Sequence, residues 1–415
     1  VWDGWTSLVR TSGQFGSGLL WHVSRAITLR LSCPIPHVQD GRVIHPPGPA
    51  SRAPLPQLWT HQEEAVRAWV ASGYRGVWDL PPRSGKTRAS AMAIRTLNVP
   101  TIVIVPRVNL VQQTAAALQP YFSSPIAMLH GGAGKDSGKR QQQMARADVW
   151  VATPKTALTV GLTRFHMLVI DEFHHAAAKT YLQISEQAVN ACYRLGMTGT
   201  HYRADGKDLL MHSVIANECY SKSFGEMVRA GVLAPGHAVF LRTTGETEAK
   251  ARDGRYRNEL IAWAAKCMIA MGKRVLVLVV EVAHGEELAR LIPGAVSVDG
   301  RDNQAVKPAL DALREKKVSC VVGTSVIGEG VDVPEADALV YAPASRSKVK
   351  VNQDVARVLT ASAGKTKGLI VDMADNHDDG AVLRAAERLH YYRENGFETE
   401  IVDSNQFEGW LRRMA

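Results

Sequence analysis

Gly85, Lys86 and Thr87 follow one another between an apolar run and an alanine-rich pattern with helical spacing. The apolar run covers residues 76–80, and the helical pattern covers residues 89–97. A strand, a tight loop and a helix in this order bring backbone N–H groups close to phosphate oxygens, while a lysine reaches the terminal phosphates and a hydroxyl group ligates Mg²⁺. We therefore expect Lys86 to hold ATP and Thr87 to bind the metal ion.

The full phosphate-loop pattern, G-x-x-x-x-G-K-[ST], is incomplete because Leu80 stands in place of its first glycine. The same tripeptide recurs at residues 364–366, before an apolar run at residues 369–371 and without a helical pattern after it. That second copy indicates a solvated loop. The tripeptide alone is thus weak evidence for a nucleotide site, and a second motif has to support it.

Two adjacent carboxylates, Asp171 and Glu172, supply that support at the end of the apolar run 167–170. The aspartate can hold Mg²⁺, and the glutamate can orient and deprotonate the water that attacks the γ-phosphate. Taken alone, such a pair is more typical of a helix N-cap, but together with Lys86 it predicts a nucleotide site. His174 and His175 lack further His or Cys residues at ligand spacing, so we interpret them as coupling residues rather than metal ligands.

Length and composition indicate a folded protein of two or three domains, with 415 residues, 46% hydrophobic and 21% charged. The formal charge of +9 suits a polyanionic partner. The five cysteines are odd in number, widely spaced and without a C-x-x-C pattern, which favours reduced thiols in a cytoplasmic compartment. No apolar run reaches the ~18 residues that span a bilayer, so we expect no membrane partner.

The order of patterns along the chain predicts an α/β protein of two parallel-sheet lobes behind a small β-rich unit. Residues 1–40 form that unit, with strands predicted at 1–10, 19–23 and 26–31 and three tryptophans that serve either as a small core or as a base-stacking surface. A Pro- and Gly-rich linker covers residues 41–57. The lobes cover residues 58–235 and 236–400, and a C-terminal extension covers 401–415.

Alternating apolar strands and helices carry the prediction of parallel sheets with helices on both faces. In the first lobe, strands are predicted at residues 101–105, 149–152, 167–170 and 193–196, and helices at 108–118 and 181–190. In the second lobe, strands are predicted at 275–280, 296–298, 318–322, 338–341 and 369–371, and helices at 285–292, 304–315 and 381–393.

The order of these motifs resembles that of superfamily 2 helicases and translocases, whose two RecA-like lobes close on ATP. In the first lobe the matching segments are Gln62 (the adenine-reading glutamine) and residues 80–87 (motif I), 106–107 (Ia), 152–154 (Ib), 171–174 (a DExH form of motif II) and 198–200 (III). Two of them depart from the family pattern. Trp59 and His61 replace the usual Arg and Tyr beside the glutamine, and Arg83 replaces a glycine of motif I. In the second lobe they are residues 275–280 (IV), 323–334 (V) and 353–357 (VI).

The resemblance implies a role for each matched residue. The nucleotide is bound by Gln62, Pro82, Arg83, Ser84, Gly85, Lys86, Thr87, Gly330 and Asp332, with Mg²⁺ on Thr87 and Asp171. The catalytic residues are Glu172, Lys86, Arg357 and Gln353. Pro106, Arg107, Thr153, Pro154 and Thr324 contact the nucleic-acid strand, and His174, Thr198 and Thr200 couple the two events.

The last motif departs from the family pattern Q-x-x-G-R-x-x-R, because Thr360 replaces its second arginine. Family members use these arginines to neutralise charge on the γ-phosphate. A threonine hydroxyl cannot replace a guanidinium in that task. Either Arg357 carries the whole task, with Arg346 or Lys365 as helpers, or ATP hydrolysis is slow; we favour Arg357.

The closer likeness is to phage branch-migration helicases and XPB-like repair helicases, through residues 2–4, 18–20 and 195–200. It implies an ATP-dependent DNA motor. We place it in the cytoplasm of a bacterium or a phage-infected cell and favour a monomer, although the sequence does not give the oligomeric state. The motor would act on single-stranded, forked or branched DNA, with RNA as the alternative strand, and the N-terminal unit would bind the branch. Two other functions stay open: the motor subunit of a restriction or defence system, and an ATP-switched nucleic-acid-binding protein with weak hydrolysis.

Overall fold

The computed structural model describes residues 15–31, 46–48, 52–131, 144–199, 208–242, 254–299, 303–324, 336–361, 365–376 and 378–414. This part of the chain divides into two compact units. The first runs to Ser221 and the second begins at Lys222, with the four loop residues Pro81–Ser84 counted with the second. Each unit is built on its own seven-stranded sheet.

The sheet of the first unit has the strand order β3-β4-β2-β5-β6-β1-β7, and every pairing in it is parallel. Its strands are β1 Arg75–Asp79, β2 Thr101–Ile104, β3 Ala127–Leu129, β4 Val149–Ala152, β5 Met167–Ile170, β6 Tyr193–Thr198 and β7 Glu218–Ser221. Its helices are α1 Leu20–Leu31, α2 Thr60–Ala71, α3 Lys86–Leu97, α4 Val108–Leu118, α5 Pro154–Ala157, α6 Lys179–Gln187 and α7 Asp208–Val214.

Both faces of this sheet are covered, which explains why its central strands are apolar without interruption. Along β5, Met167 and Val169 belong to one hydrophobic core, whereas Leu168 and Ile170 belong to the core on the opposite face. Short 3₁₀ turns at Ser17–Leu19, Gln119–Tyr121, Leu162–Arg164 and Phe173–His175 complete the first unit.

The sheet of the second unit is also parallel throughout, in the order β10-β11-β9-β12-β13-β8-β14. Its strands are β8 Gly236–Arg242, β9 Val275–Val279, β10 Ala295–Val298, β11 Cys320–Thr324, β12 Ala338–Tyr341, β13 Gly368–Ala374 and β14 Glu398–Asp403. Its helices are α8 Phe224–Arg229, α9 Gly254–Ala270, α10 Val282–Leu291, α11 Asn303–Arg314, α12 Lys348–Val355, α13 Asp379–Glu394 and α14 Ser404–Met414, with a 3₁₀ turn at Ala356–Val358. The predicted fold class, two RecA-like α/β lobes in tandem, is confirmed.

The prediction of strands at residues 19–23 and 26–31 is wrong, because this segment forms helix α1. Two glycines dock its start against α7: a Cβ on Gly16 would lie 2.6 Å from the Ser213 carbonyl oxygen, and one on Gly18 would lie 1.8 Å from that of His212. His22 Nε2 also lies 2.9 Å from Asn217 Oδ1. The described end of the N-terminal unit is therefore helical rather than β-rich, while the strand predicted at residues 1–10 lies outside the described residues.

The described part of the predicted linker forms neither helix nor strand, but it lies against α3. The Gly48 N–H donates to the Leu97 carbonyl oxygen at 3.0 Å. Arg95 Nη1 donates to the Ala53 carbonyl oxygen, also at 3.0 Å. This segment is thus held on the first unit rather than acting as a free spacer.

The boundary between the two units lies at residues 221 and 222, not at residue 235. Helix α8 follows this boundary, and Phe224 packs with Phe240 in the core of the second unit. Residues 401–414 belong to the same unit and do not form an extension, because β14 pairs with β8 and Phe407 and Trp410 are buried. None of the described helices is long and apolar enough to cross a membrane.

Candidate functional site

The carboxyl ends of parallel strands meet at one edge of a sheet, and in α/β proteins that edge binds ligands. In the first unit this edge collects the loops that follow β4, β2, β5, β6 and β1, which are neighbours in that order. The Leu80 N–H donates to the Thr198 carbonyl oxygen at 2.9 Å, and the Asp171 N–H donates to that of Ile104 at 2.9 Å. The strand order thus brings together segments that are far apart in sequence.

The phosphate-loop candidate turns sharply at Gly85, which has φ +76° and precedes the first residue of α3. A Cβ at this position would lie 2.2 Å from Gln62 Nε2 and would displace that amide, and the left-handed backbone itself favours glycine. Within the described residues, no side chain caps the start of α3 and no acidic residue lies in its first turn. The partial positive charge of this helix end is therefore available to an anion such as phosphate.

Lys86 folds back over the loop that precedes it, and its Nζ donates to the Leu80 carbonyl oxygen at 2.9 Å. Its charge also lowers the pKa of Asp171, although burial and Glu172 raise that pKa more strongly. Lys86 therefore lies close to both the loop and the acidic pair, and the predicted nucleotide residues are brought together. A phosphate oxygen can take the place of the Leu80 carbonyl as acceptor.

Gln62 lies in the same site, but its amide already bonds to the protein. Its Oε1 accepts from the Trp59 N–H at 3.0 Å, and its Nε2 donates to the Gly85 carbonyl oxygen at 3.3 Å. Beside it, Trp59 is 47% exposed, and the Arg88 guanidinium carbon lies 5.7 Å from its ring centroid. Sequence reasoning treated Trp59 only as a departure from the family pattern and missed Arg88, the residue that follows Thr87.

Asp171 and Glu172 leave β5 with an unusual backbone, since Glu172 has φ +49°. Asp171 Oδ1 accepts from the Glu172 N–H at 2.9 Å. Burial, followed by the charge of Glu172, raises the pKa of Asp171 to about 6. The same two carboxylates, after burial, raise the pKa of Tyr181 on α6, a residue near the site that sequence reasoning did not find.

The donor set fits Mg²⁺, because the Asp171 carboxylate and the Thr87 hydroxyl are hard oxygen ligands. Among the described residues, no group of three or more His, Cys, Asp or Glu side chains could hold a metal ion alone. Mg²⁺ is commonly held by one or two protein ligands together with phosphate oxygens and waters, and this sparse set is consistent with that arrangement.

His174 links the acidic pair to the end of β6. Its Nδ1 lies 3.4 Å from Glu172 Oε2 and 3.5 Å from Thr198 Oγ1, and the histidine is buried. His175 is exposed, with its ring centroid 4.2 Å from that of His174. The predicted coupling residues His174 and Thr198 thus lie together, and Thr200 lies outside the described residues.

The strand-contact candidates of the first unit lie on the far side of β5 from the phosphate loop. Pro106 and the exposed Arg107 follow β2. Thr153 follows the neighbouring β4, with its Oγ1 2.9 Å from Thr156 Oγ1, and Pro154 begins α5. The order of the strands therefore separates a nucleotide side from a second side that carries these residues. Thr324 ends β11 in the second unit and is buried.

The predicted residues of motif VI are in the second unit, on α12 and the 3₁₀ turn that follows it. Gln353 is half-buried, whereas Arg357 is only 2% exposed and its Nη2 lies 3.2 Å from Asp354 Oδ1. Thr360, which replaces the second arginine, forms an isolated antiparallel bridge with Leu233. Arg357 is thus held inside its own unit rather than displayed at a surface, and Gly330 and Asp332 lie outside the described residues.

Comparisons with known proteins bear on the class of this protein. Residues 56–203 match the family described as the res subunit of type III restriction enzymes (ResIII). The DNA 3'-5' translocase XPB2 of Sulfurisphaera tokodaii is 24% identical over 361 residues, covering 73% of this chain and 78% of the relative. The ATP-dependent DNA helicase uvsW of Enterobacteria phage T4 is 24% identical over 348 residues, covering 76% of this chain and 68% of that protein.

A solved structure adds support for the fold alone. S. cerevisiae Dbp5 bound to RNA and ADP BeF3 has a TM-score of 0.63 at 16% identity, covering 85% of this chain and 93% of that chain. Fold, motif order and these matches make the chain similar to the helicases and translocases of superfamily 2. Within that class, its relatives include XPB-type and phage UvsW-type helicases.

Proposed function

We propose that the protein is an ATP-dependent DNA helicase or translocase that moves along a DNA strand. The observation that carries the proposal is the shared edge of the first sheet. There the phosphate loop and acidic pair follow β1 and β5, and the strand-contact candidates follow β2 and β4. A change at the nucleotide therefore has a short path to the strand-contact segments through β5 and β2, which pair along their whole length.

The residues divide the chemistry among them. Lys86 and the loop N–H groups bind the phosphates, and we infer that Thr87 and Asp171 hold Mg²⁺, which when bound neutralises charge on the phosphates. Glu172 orients and deprotonates the attacking water. His174 lies between Glu172 and Thr198, so it can transmit a change in the acidic pair to β6.

DNA is the proposed strand because the curated relatives with long matches are DNA translocases and helicases. The formal charge of +9 and the exposed Arg107 favour contacts with backbone phosphates, which are salt-sensitive and tolerant of sequence. Preference for forked or branched DNA is a finer proposal. It is supported by the exposed Trp21 on α1, with the Arg25 guanidinium carbon 5.1 Å from its ring centroid, because such a pair can stack on an unpaired base.

One assay tests the proposal: the steady-state ATPase rate with no nucleic acid, single-stranded DNA, single-stranded RNA, duplex, forks and four-way junctions, in a salt series. We expect DNA to stimulate turnover, forks and junctions to stimulate most, and Lys86→Ala to be inactive with every ligand. Turnover that no DNA stimulates would refute the proposal and favour an ATP-switched binding protein. If RNA alone stimulated the ATPase rate, RNA and not DNA would be the strand on which the protein acts.

The match of residues 56–203 to a restriction-enzyme subunit favours a second candidate, the motor of a restriction or defence complex. Both candidates predict DNA-stimulated ATPase, so they need another readout. Displacement of a triplex-forming strand reports translocation along duplex DNA, whereas release of a labelled strand from a fork reports unwinding. Triplex displacement without fork unwinding would favour the restriction motor, and fork unwinding would favour the helicase.

A further inference from the structure

Three arginines are deeply buried in the described part of the chain, and one of them is bonded unlike the other two. Arg388 donates to both oxygens of Asp372, to the Met373 carbonyl and to the Arg384 carbonyl. Arg194 bonds to the Ser185 hydroxyl and to four carbonyl oxygens. Arg357, by contrast, donates from Nη2 to Asp354 Oδ1, whereas its Nε and Nη1 have no hydrogen-bond partner among the described residues.

This contrast distinguishes the two arginines that stabilise the fold from Arg357, whose donors are not fully used. A guanidinium carries five N–H donors, and burying donors without acceptors is unfavourable. Arg388 and Arg194 avoid that cost, as expected of groups whose purpose is to hold the fold together. Arg357 is 2% exposed with two nitrogens unbonded, so its position is secured mainly by the Asp354 carboxylate, which is also buried.

We propose that Asp354 is a positioning residue that holds Arg357 back and so limits ATP hydrolysis when no DNA is bound. The inference rests on the proposed function and on the role that the family resemblance implies for Arg357, which is to neutralise charge on the γ-phosphate. The Asp354 carboxylate acts in two ways. It fixes the Arg357 guanidinium by a direct ion pair, and its negative charge offsets the positive charge that the guanidinium would supply to the transition state of ATP hydrolysis. The motif has threonine, Thr360, in place of its second arginine, so Arg357 is its one remaining arginine. Whatever holds Arg357 back therefore withholds the whole arginine contribution to the rate of hydrolysis, which is roughly 10³- to 10⁵-fold.

The test is Asp354→Asn in the full chain, with kcat and KM for ATP measured without DNA and with saturating single-stranded DNA. The amide keeps the size of the side chain but removes its charge. We expect kcat without DNA to rise about tenfold, a small part of the arginine contribution. The KM for ATP and the DNA-saturated kcat should stay within about twofold of wild type, because the pair is released in that state.

Two matched variants control for the loss of an Asp–Arg pair elsewhere in the second unit. Asp311→Asn removes an exposed pair with Arg314 that has the same i,i+3 spacing, at 3.0 Å. Asp375→Asn removes a largely buried pair with Arg257, at 2.7 Å. Neither should raise the DNA-free kcat. If the DNA-free kcat rose in both control variants, the effect would be due to destabilisation of the second unit, and the proposal would be overturned.

A double-variant cycle tests whether Asp354 acts through Arg357. In an Arg357→Gln background, Asp354→Asn should leave the DNA-free kcat unchanged, and an equal rise there would overturn the proposal. Asp354→Glu, which keeps the charge, should behave as wild type. If thermal melting shows that Asp354→Asn does not fold, Asp354→Ser takes its place.

The outcomes also separate this inference from the proposed function. A folded Asp354 variant whose DNA-free kcat is unchanged or lower, beside a wild type that DNA stimulates normally, overturns the inference alone. A wild type that DNA does not stimulate overturns the proposed function itself.

Discussion

Gly85→Ala is the sharpest test of how the phosphate loop is built. The residue has φ +76°, and a Cβ there would lie 2.2 Å from Gln62 Nε2. The substitution therefore introduces two separate costs. The first is the left-handed backbone, at about 1 kcal/mol for a residue with a Cβ. The second is displacement of the Gln62 amide, whose hydrogen bond to the Gly85 carbonyl oxygen is worth about 1 kcal/mol.

Gly73→Ala isolates the first cost, because Gly73 has φ +73° but, its chain neighbours apart, no atom of the described residues lies within 4 Å of a Cβ built there. We expect Gly73→Ala to lose about 1 kcal/mol of unfolding free energy and to bind ATP as wild type does. Gly85→Ala should lose about 2 kcal/mol, because the backbone and hydrogen-bond costs add. It should also bind ATP about tenfold more weakly or worse, which corresponds to ~1.4 kcal/mol of displaced phosphate contacts.

Denaturant unfolding of both variants and titration with a fluorescent ATP analogue measure these quantities. The double variant Gly85→Ala with Gln62→Ala adds a further check, because removal of the amide relieves the collision. Its stability loss should be smaller than the sum of the two single losses. If Gly85→Ala matched Gly73→Ala in both stability and ATP binding, the assignment of the close approach between Gln62 and the loop would be refuted.

Three further predictions follow from the first unit. Lys86→Ala and Glu172→Gln should both abolish ATP turnover, but only Lys86→Ala should weaken ATP binding. The reason is that the lysine contacts the phosphates in the ground state, whereas the glutamate acts on the attacking water. Turnover by Glu172→Gln at the wild-type rate would show that another residue is the base. Burial raises the pKa of Asp171 from 3.8 to about 6, so the folded protein binds this proton more tightly than the unfolded chain does, and stability from this group is lost as pH rises through that window. Unfolding in EDTA should therefore show Asp171→Asn gaining stability relative to wild type across the window, and a constant difference would contradict the raised pKa. Arg194→Met should lose about 3–5 kcal/mol in denaturant unfolding, because the Ser185 and Ala191 carbonyl oxygens lose the guanidinium as their donor, and a loss under about 1 kcal/mol would show that other donors replace it.

The sequence by itself determined the elements whose pattern is local and strong. Helix α4 and strands β4, β5 and β12 have the predicted bounds, because a helical face or a fully buried strand leaves a clear apolar pattern. The edge strands β7 and β14 were missed, since they are largely exposed and their residues carry no such pattern. Helix α1 was misread as strands, and residues 16–22, before and at its start, contact α7 through Gly16, Gly18 and His22, which the local sequence does not reveal.

The same division holds for the site. Lys86, Thr87, Asp171 and Glu172 were predicted as site residues from two short motifs, because the residue types that this chemistry needs are adjacent in sequence. Tertiary structure alone decided that the Gln62 amide bonds to the Gly85 carbonyl. It also decided that Arg357 is buried against Asp354. Burial and hydrogen-bond saturation depend on the surrounding packed elements, so a motif specifies which residue is present but not what it contacts.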